Sequence, residues 1–363
     1  MANRWCDGFG RYGGDEAKML NGSSGQAWAQ VDTNGFALSN ANPRTGLWHL
    51  RLTPISTIGK TARRVFGAPL TEVFVGKAIY CHDLPASEDS GAFLNGILLF
   101  GFRDQANGEQ VRVVLGTDGA LQVYRGSTSL GRSIPIIGAG AYQHIECYAK
   151  AGNATDGALE LRVDEVTRLN LTGIDTVSTA NVEFSQIAFG HQSNGDSDKL
   201  PMIDYADIYC NDTTDDGSGC NSFLGDVKSG WFSVDADTAQ ADFTLSSGAT
   251  GYSLLSEVPP NDTTYIDTAS STARSDFGVT DGPANMSEIL TARPAVRAWK
   301  DDAGTCTIAP NMKSGSTDGT VSDQPVTTAP AYYDSNVPLD PATGVPWTPS
   351  GFNAALEIVE RAS

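Results

Sequence analysis

Between residues 5 and 211, short apolar runs of strand length alternate with turn signals at close intervals, a pattern that predicts an antiparallel β-sandwich. The runs are residues 27–32, 47–52, 63–66, 72–84, 93–103, 111–115, 121–124, 142–150, 158–163, 167–171, 182–189 and 203–209. About a dozen strands is the size of a jelly roll. Gly116-Thr117-Asp118-Gly119 joins two of the runs as a hairpin, and a tight turn at Asp164-Glu165 joins two more. No amphipathic helical period interrupts this part of the chain.

The polar stretch NDTTDDGSG at 211–219 breaks the pattern, and short apolar runs resume at GWFSVDAD, ADFTLSS and TTYIDTAS. The expected organisation is a jelly roll over 1–214, a linker over 215–228 and a second, smaller β-domain over 229–363. Pro325, Pro330, Pro338, Pro341, Pro346 and Pro349 crowd one segment of the second domain. They oppose regular ladders and predict an extended arm or a wrapped loop there, of a kind that contact with a neighbouring subunit would order. Residues 349–362 carry the best helical pattern, with a final strand over 355–359 as the alternative.

Composition agrees with a folded β-protein: 40% hydrophobic residues, 18% charged residues and 39 glycines. The formal net charge of -19 argues against nucleic acid and anionic membrane as partners. No apolar signal core opens the sequence and no run long enough to span a membrane occurs, so neither a cleaved export signal nor membrane insertion is expected. The six cysteines show no CxxC pairing. Cys210 and Cys220 are the one pair considered for a disulfide, and free thiols are the plainer expectation.

Carbohydrate-cleaving sandwiches place carboxylates at alternate positions of one strand, where they share a face. The nearest approach is Glu160, Arg162 and Asp164, with arginine in the middle position; it reads as a charged stripe on a hairpin. Asp204 and Asp207 differ in strand parity and read as the end of a sheet. His49, His82, His144 and His191 are dispersed and read as ordinary sandwich residues. No nucleophile elbow or phosphate loop is present, so no catalytic residue is assigned. Calcium is the one cofactor left open, with Asn194, Asp196 and Asp198 as candidate ligands and Asn211, Asp212, Asp215 and Asp216 as a second set. Neither has the spacing of an EF-hand. Trp28, Trp48 and Tyr124 are candidates for an aromatic platform under a glycan, although each equally suits a core.

WCDGFGRYG, LLFGF, VYRG followed by LGRS, YQHIECY, and FSQIAFG followed by IDYADIYCND together resemble the concanavalin A-like, LamG-type jelly roll. More narrowly they resemble phage virion proteins of the minor tail or tail-associated kind. FLGD, NDTTYID, AVRAWKDDAG and WTPSGFNAALEI extend the resemblance over nearly the whole chain, by pattern and order rather than by an active-site motif. It implies a non-enzymatic component of the virion, assembled in the host cytoplasm, whose partners are copies of itself, other virion proteins and host-surface glycans. The alternatives are a surface polysaccharide depolymerase that depends on Glu160 or Asp164, and a free lectin-like binder.

Overall fold

A computed structural model describes residues 3–12, 19, 28–31, 35–41, 43–44, 48–53, 60–86, 97–191, 201–248 and 250–361. The protein is all-β. Its first fifteen strands are β1 Asn3–Asp7, β2 Trp28–Val31, β3 Phe36–Ser39, β4 His49–Leu52, β5 Lys60–Leu70, β6 Glu72–Cys81, β7 Ile97–Arg103 and β8 Glu109–Leu115, then β9 Ala120–Arg125, β10 Thr128–Pro135, β11 Tyr142–Lys150, β12 Gly157–Val163, β13 Val166–Ile174, β14 Phe184–His191 and β15 Ile203–Asn211.

These strands form two sheets, one ordered β13-β12-β11-β6-β15-β4-β3 with β1 also on β15, the other β10-β9-β8-β7-β14-β5-β2. Alternation builds the layer between them, since successive side chains point to opposite faces. Val73, Val75, Ile145, Cys147, Leu159 and Leu161 from the first sheet share one buried core with Phe100, Phe102, Val113, Val123, Ile187 and Phe189 from the second. Asp164 and Glu165 both take positive φ, 48° and 65°, which suits the tight β12–β13 hairpin. The edge strand β10 was not foreseen, because its side chains are mostly exposed and leave no apolar alternation to read.

Lys77 points into this core among the rings of Phe100, Phe189 and Tyr205, and its Nζ donates to the Leu99 carbonyl. Burial holds its amine well below the ordinary lysine value.

The remaining elements are β16 Val234–Ala241, β17 Thr244–Leu245, α1 Gly251–Leu255, β18 Ile266–Asp267, β19 Arg274–Val279 and β20 Ala295–Ala298, then β21 Thr307–Ser314, β22 Thr317–Asp318, β23 Gln324–Pro325, β24 Ala331–Asp334, α2 Pro349–Asn353 and β25 Leu356–Arg361. The main sheet runs β16-β19-β25-β21-β22, with β23 on β21, while β20 pairs separately with β24. The proline-rich segment is not an arm. Val326, Tyr333, Val337 and Trp347 are buried in this unit's own cores, so ordering comes from apolar burial within the chain and needs no neighbour. The final residues form both a helix and a strand: Thr348 Oγ1 accepts the Gly351 N–H at 3.0 Å to cap α2, and β25 then enters the sheet. Among the described residues no helix is long and apolar enough to cross a membrane.

The two units share a buried ionic seam. Asp334 accepts from Arg11 Nη1 at 3.2 Å and from Arg293 Nη2 at 2.6 Å. Asp7 accepts from Tyr12 at 2.9 Å and from Trp28 Nε1 at 3.1 Å. Tyr332 belongs to the sandwich core and donates to the Arg11 carbonyl at 3.2 Å.

Asp334→Ala would leave Arg11 and Arg293 as buried cations without this counter-charge, and is expected to cost about 3–5 kcal/mol in chemical denaturation. Burial would raise the Asp334 carboxyl, but Arg293, Arg11 and Arg64 outweigh it and hold it low. The stability it contributes is therefore present above the unfolded carboxylate value and lost on acidification through the folded one. For Lys77 the sign reverses. The folded state binds this proton more weakly than the unfolded state, so wild-type stability should rise with pH towards the ordinary lysine value, and Lys77→Met should flatten that rise.

Candidate active site on the outer face of the sandwich

Strand register sets one row of side chains across the outer face of the first sheet. Tyr142 on β11 pairs with Tyr80 on β6, Tyr80 with Asp204 on β15, and Asp204 with Arg51 on β4. Adjacent strands lie about 4.8 Å apart, so the four side chains are neighbours. The next row holds Ala78 and Ala206 beside His144.

Asp204 is fully buried and anchors the group. Arg51 grips it bidentately, Nε to Oδ1 at 2.6 Å and Nη2 to Oδ2 at 2.8 Å. His82 Nε2 meets Oδ2 at 2.9 Å and His49 Nε2 meets Oδ1 at 3.2 Å. Tyr80 stands edge-on between the His82 ring at 4.8 Å and the Tyr142 ring at 5.3 Å. Burial would raise the Asp204 carboxyl, yet the hydrogen bonds from Arg51, His49 and His82 outweigh it and hold it well below the usual carboxylate range. Burial pushes the Tyr142 hydroxyl up, helped by Asp204 and Asp207. The His144 ring is driven down by burial.

Three polar groups of the cluster have no protein partner among the described residues: Arg51 Nη1, His82 Nδ1 and the Tyr80 hydroxyl. Their side chains are not sealed, with His82 23% and Arg51 17% exposed. A cation, a carboxylate-oriented imidazole and a phenol thus face solvent side by side.

A β-bulge completes the face. Asp207 sits at φ 50°, and the β15–β6 register shifts between Ala206 and Tyr209. The extra residue resets strand parity, so Asp207 reaches the side on which Asp204 lies. There it accepts from Arg44 Nη1 at 3.0 Å and from the Ser229 N–H at 3.0 Å, while the Arg44 guanidinium lies 6.0 Å from the Tyr142 ring centre. The segment expected as a linker lies on this sheet. Gly225 N donates to Glu146 at 2.8 Å, Leu224 N to the Tyr209 hydroxyl at 3.1 Å, and Phe223 packs edge-on against Phe74 at 5.0 Å. It covers one end of the face, away from Tyr80 and His82.

Sequence reasoning read His49 and His82 as ordinary sandwich residues and separated Asp204 from Asp207 by parity; the bulge reverses the second reading. The one available signal was Tyr80 and His82 at alternate positions opposite Tyr142. Of the proposed aromatic platform, Trp28 is 1% exposed and stacks inside the core on Phe9 and Phe189, so its faces are closed to a ligand. Trp48 is half-buried against the core. Tyr124 lies on the other sheet, donating to Gln122 and covered by Arg112 at 5.6 Å, so the three do not converge. Glu160 is held by Arg162 and Thr167 at 2.8 Å each, and Asp164 caps the His144 N–H at 2.9 Å; neither is placed as a catalytic carboxylate.

Asn194, Asp196 and Asp198 lie outside the described residues. Asp212, Asp215 and Asp216 accept backbone N–H groups two residues ahead, as Asx turns do. Among the described residues no group of three or more His, Cys, Asp or Glu could hold a metal ion. Cys210 and Cys220 are both buried, and no disulfide joins them.

No protein-family model matches the sequence, and no curated protein matches it. Solved structures match over about half of the chain. An endo-β-1,4-glucuronan lyase from the fungus Trichoderma reesei is 14% identical with a TM-score of 0.39, covering 53% of this chain and 94% of its own. A marine alginate lyase from Aplysia kurodai is 10% identical with a TM-score of 0.44, covering 58% and 99%. An alginate lyase from a Chlorella virus is 13% identical with a TM-score of 0.33, covering 48% and 88%. The expectation of a non-enzymatic virion component finds no support among these matches, which are named as polysaccharide lyases. At TM-scores of 0.33 to 0.44 the likeness carries no argument for this chain, and function has to be argued from the chain's own residues.

Asp204→Asn should destabilise the protein by about 3 kcal/mol near neutral pH, because Arg51 loses its buried counter-charge. The folded Asp204 carboxyl is more acidic than the unfolded one, so the gap between wild type and variant should close as pH falls through the folded value. Urea unfolding across a pH series would measure it, and a constant gap would show that this carboxylate is not held low.

Proposed function

We propose that the sandwich cleaves an acidic polysaccharide by β-elimination at the Tyr80–His82–Arg51 end of the face. What supports the reading is the placement of three unpartnered groups, an imidazole, a guanidinium and a phenol, around one buried aspartate. Elimination from a uronate needs those three roles. Arg51 Nη1 pairs with the sugar carboxylate, which stabilises the charge that develops when the adjacent carbon loses its proton. His82 Nδ1 takes that proton, with Nε2 held by Asp204, which orients the ring and stabilises the imidazolium. The electron pair left behind forms the carbon–carbon double bond, the glycosidic bond breaks, and the departing oxygen takes a proton from the Tyr80 hydroxyl. The products are an unsaturated uronate end and a new reducing end. The named activities of the matched structures act on uronate polymers, but the proposal rests on the geometry above.

The net charge of -19 opposes the approach of a polyanion, so screening by salt should lower KM while leaving kcat largely unchanged. The test is the ultraviolet absorbance of unsaturated product from polyglucuronate, alginate and polygalacturonate. His82→Ala and Tyr80→Phe are each expected to lower kcat by about a hundredfold or more, while Arg51→Lys raises KM. No unsaturated product from any uronate polymer, or full activity in His82→Ala, would reject elimination at this face.

A further inference from the structure

The C-terminal unit holds a cavity of about 620 Å³ that no part of the elimination chemistry uses. This is within the range of small-molecule sites, which combine apolar walls with a few placed polar groups. Trp231, Tyr265 and Trp299 supply the aromatic wall. Trp231 and Tyr265 are 39% and 38% exposed, among the few large apolar side chains the chain leaves in water. Tyr265 stands edge-on to Trp299 with ring centres 5.5 Å apart. On the polar side, Arg297 grips Asp262 through Nε at 2.6 Å and Nη2 at 2.9 Å, presenting a fixed fork of donors and acceptors.

Glu357 of β25 adds a carboxyl to the lining. Burial pushes it up to about 8, against one backbone hydrogen bond from Ala295, so near neutral pH it is a neutral donor and acceptor. The other charges of the lining are Glu257, Asp267, Asp301 and Asp302 against Lys300 and Arg361, an acidic excess that disfavours an anionic ligand.

We infer that this cavity binds a neutral pyranose unit of a glycan, with the sugar's C–H face on the Trp299–Tyr265 pair and its hydroxyls on Asp262, Arg297 and Glu357. An apolar ligand would leave the Arg297–Asp262 fork and the Glu357 carboxyl unused. A uronate would meet the acidic excess. A neutral sugar matches both walls, because it carries an apolar face and a rim of hydroxyl donors and acceptors. The site is separate from the elimination face, and its test does not depend on that reading.

The full chain would be titrated with cellotriose, mannotriose, galactotriose and trigalacturonate, following tryptophan fluorescence and heat. At least one neutral trisaccharide should bind, and Trp299→Ala should weaken it about tenfold or more. Trp231→Ala, at the exposed rim, serves as the second aromatic variant should Trp299→Ala misfold. Wild-type affinity should fall as pH rises through about 8, whereas the Glu357→Gln affinity should not. His82→Ala should bind as wild type does, which separates this site from the elimination face. The inference is overturned if no neutral trisaccharide binds, if trigalacturonate displaces the bound neutral sugar as tightly as the neutral sugars displace one another, or if a folded aromatic variant keeps full affinity.

Discussion

Buried charge must be met by charge, and the seam at Asp7, Arg11, Arg293 and Asp334 shows how much of this molecule follows from that requirement. Asp334 comes from β24 of the C-terminal unit, and Arg11 from the turn after β1 of the sandwich. Neither side chain is hydrated, so neither unit can separate without exposing or stranding an ion. The seam fixes the entry of the chain into the first sheet, because Asp7 also takes hydrogen bonds from Tyr12 and Trp28. It also places Tyr332 in the sandwich core. The connecting segment is held on the outer face of the first sheet by its own contacts, Gly225 N to Glu146, Leu224 N to Tyr209 and Phe223 on Phe74.

The same electrostatic logic shapes that face at higher exposure. Asp204 is buried but surrounded by a bidentate guanidinium and two imidazoles, so it stays ionised and holds them in place. What it leaves to solvent is one nitrogen of His82, one of Arg51 and the hydroxyl of Tyr80. A buried anion thereby organises an outward-facing cationic and proton-transferring surface on a strongly acidic protein. The C-terminal cavity has the opposite character, with aromatic walls, an acidic excess and a carboxyl that burial keeps protonated. The two surfaces are chemically distinct, one built around a buried carboxylate and its guanidinium and imidazole partners, the other around aromatic walls.

The sandwich was legible because its strands carry the alternation that a half-buried sheet requires, as in β12, whose burial alternates at every residue. The hairpins at Gly116–Gly119 and Asp164–Glu165 were equally plain, since turns of that kind need positive φ. The edge strand β10 escaped notice because little of it is buried. The proline-rich segment was misread for a related reason: proline forbids ladders, yet it does not forbid burial, and Tyr333, Val337 and Trp347 fill the core there.

The sequence by itself determined an all-β chain and its strong negative charge, because local alternation, turn chemistry and charge are properties of neighbours along the chain. The tertiary structure alone decided which polar residues meet. Tyr142, Tyr80, Asp204 and Arg51 come from four strands far apart in sequence, and only the register of three ladders puts them in one row. A single bulged residue, Asp207, then reverses the parity on which any linear reading depends. Register and bulges are set by packing between distant segments, so beyond the alternation of Tyr80 and His82 the site they build has no signature in the order of residues.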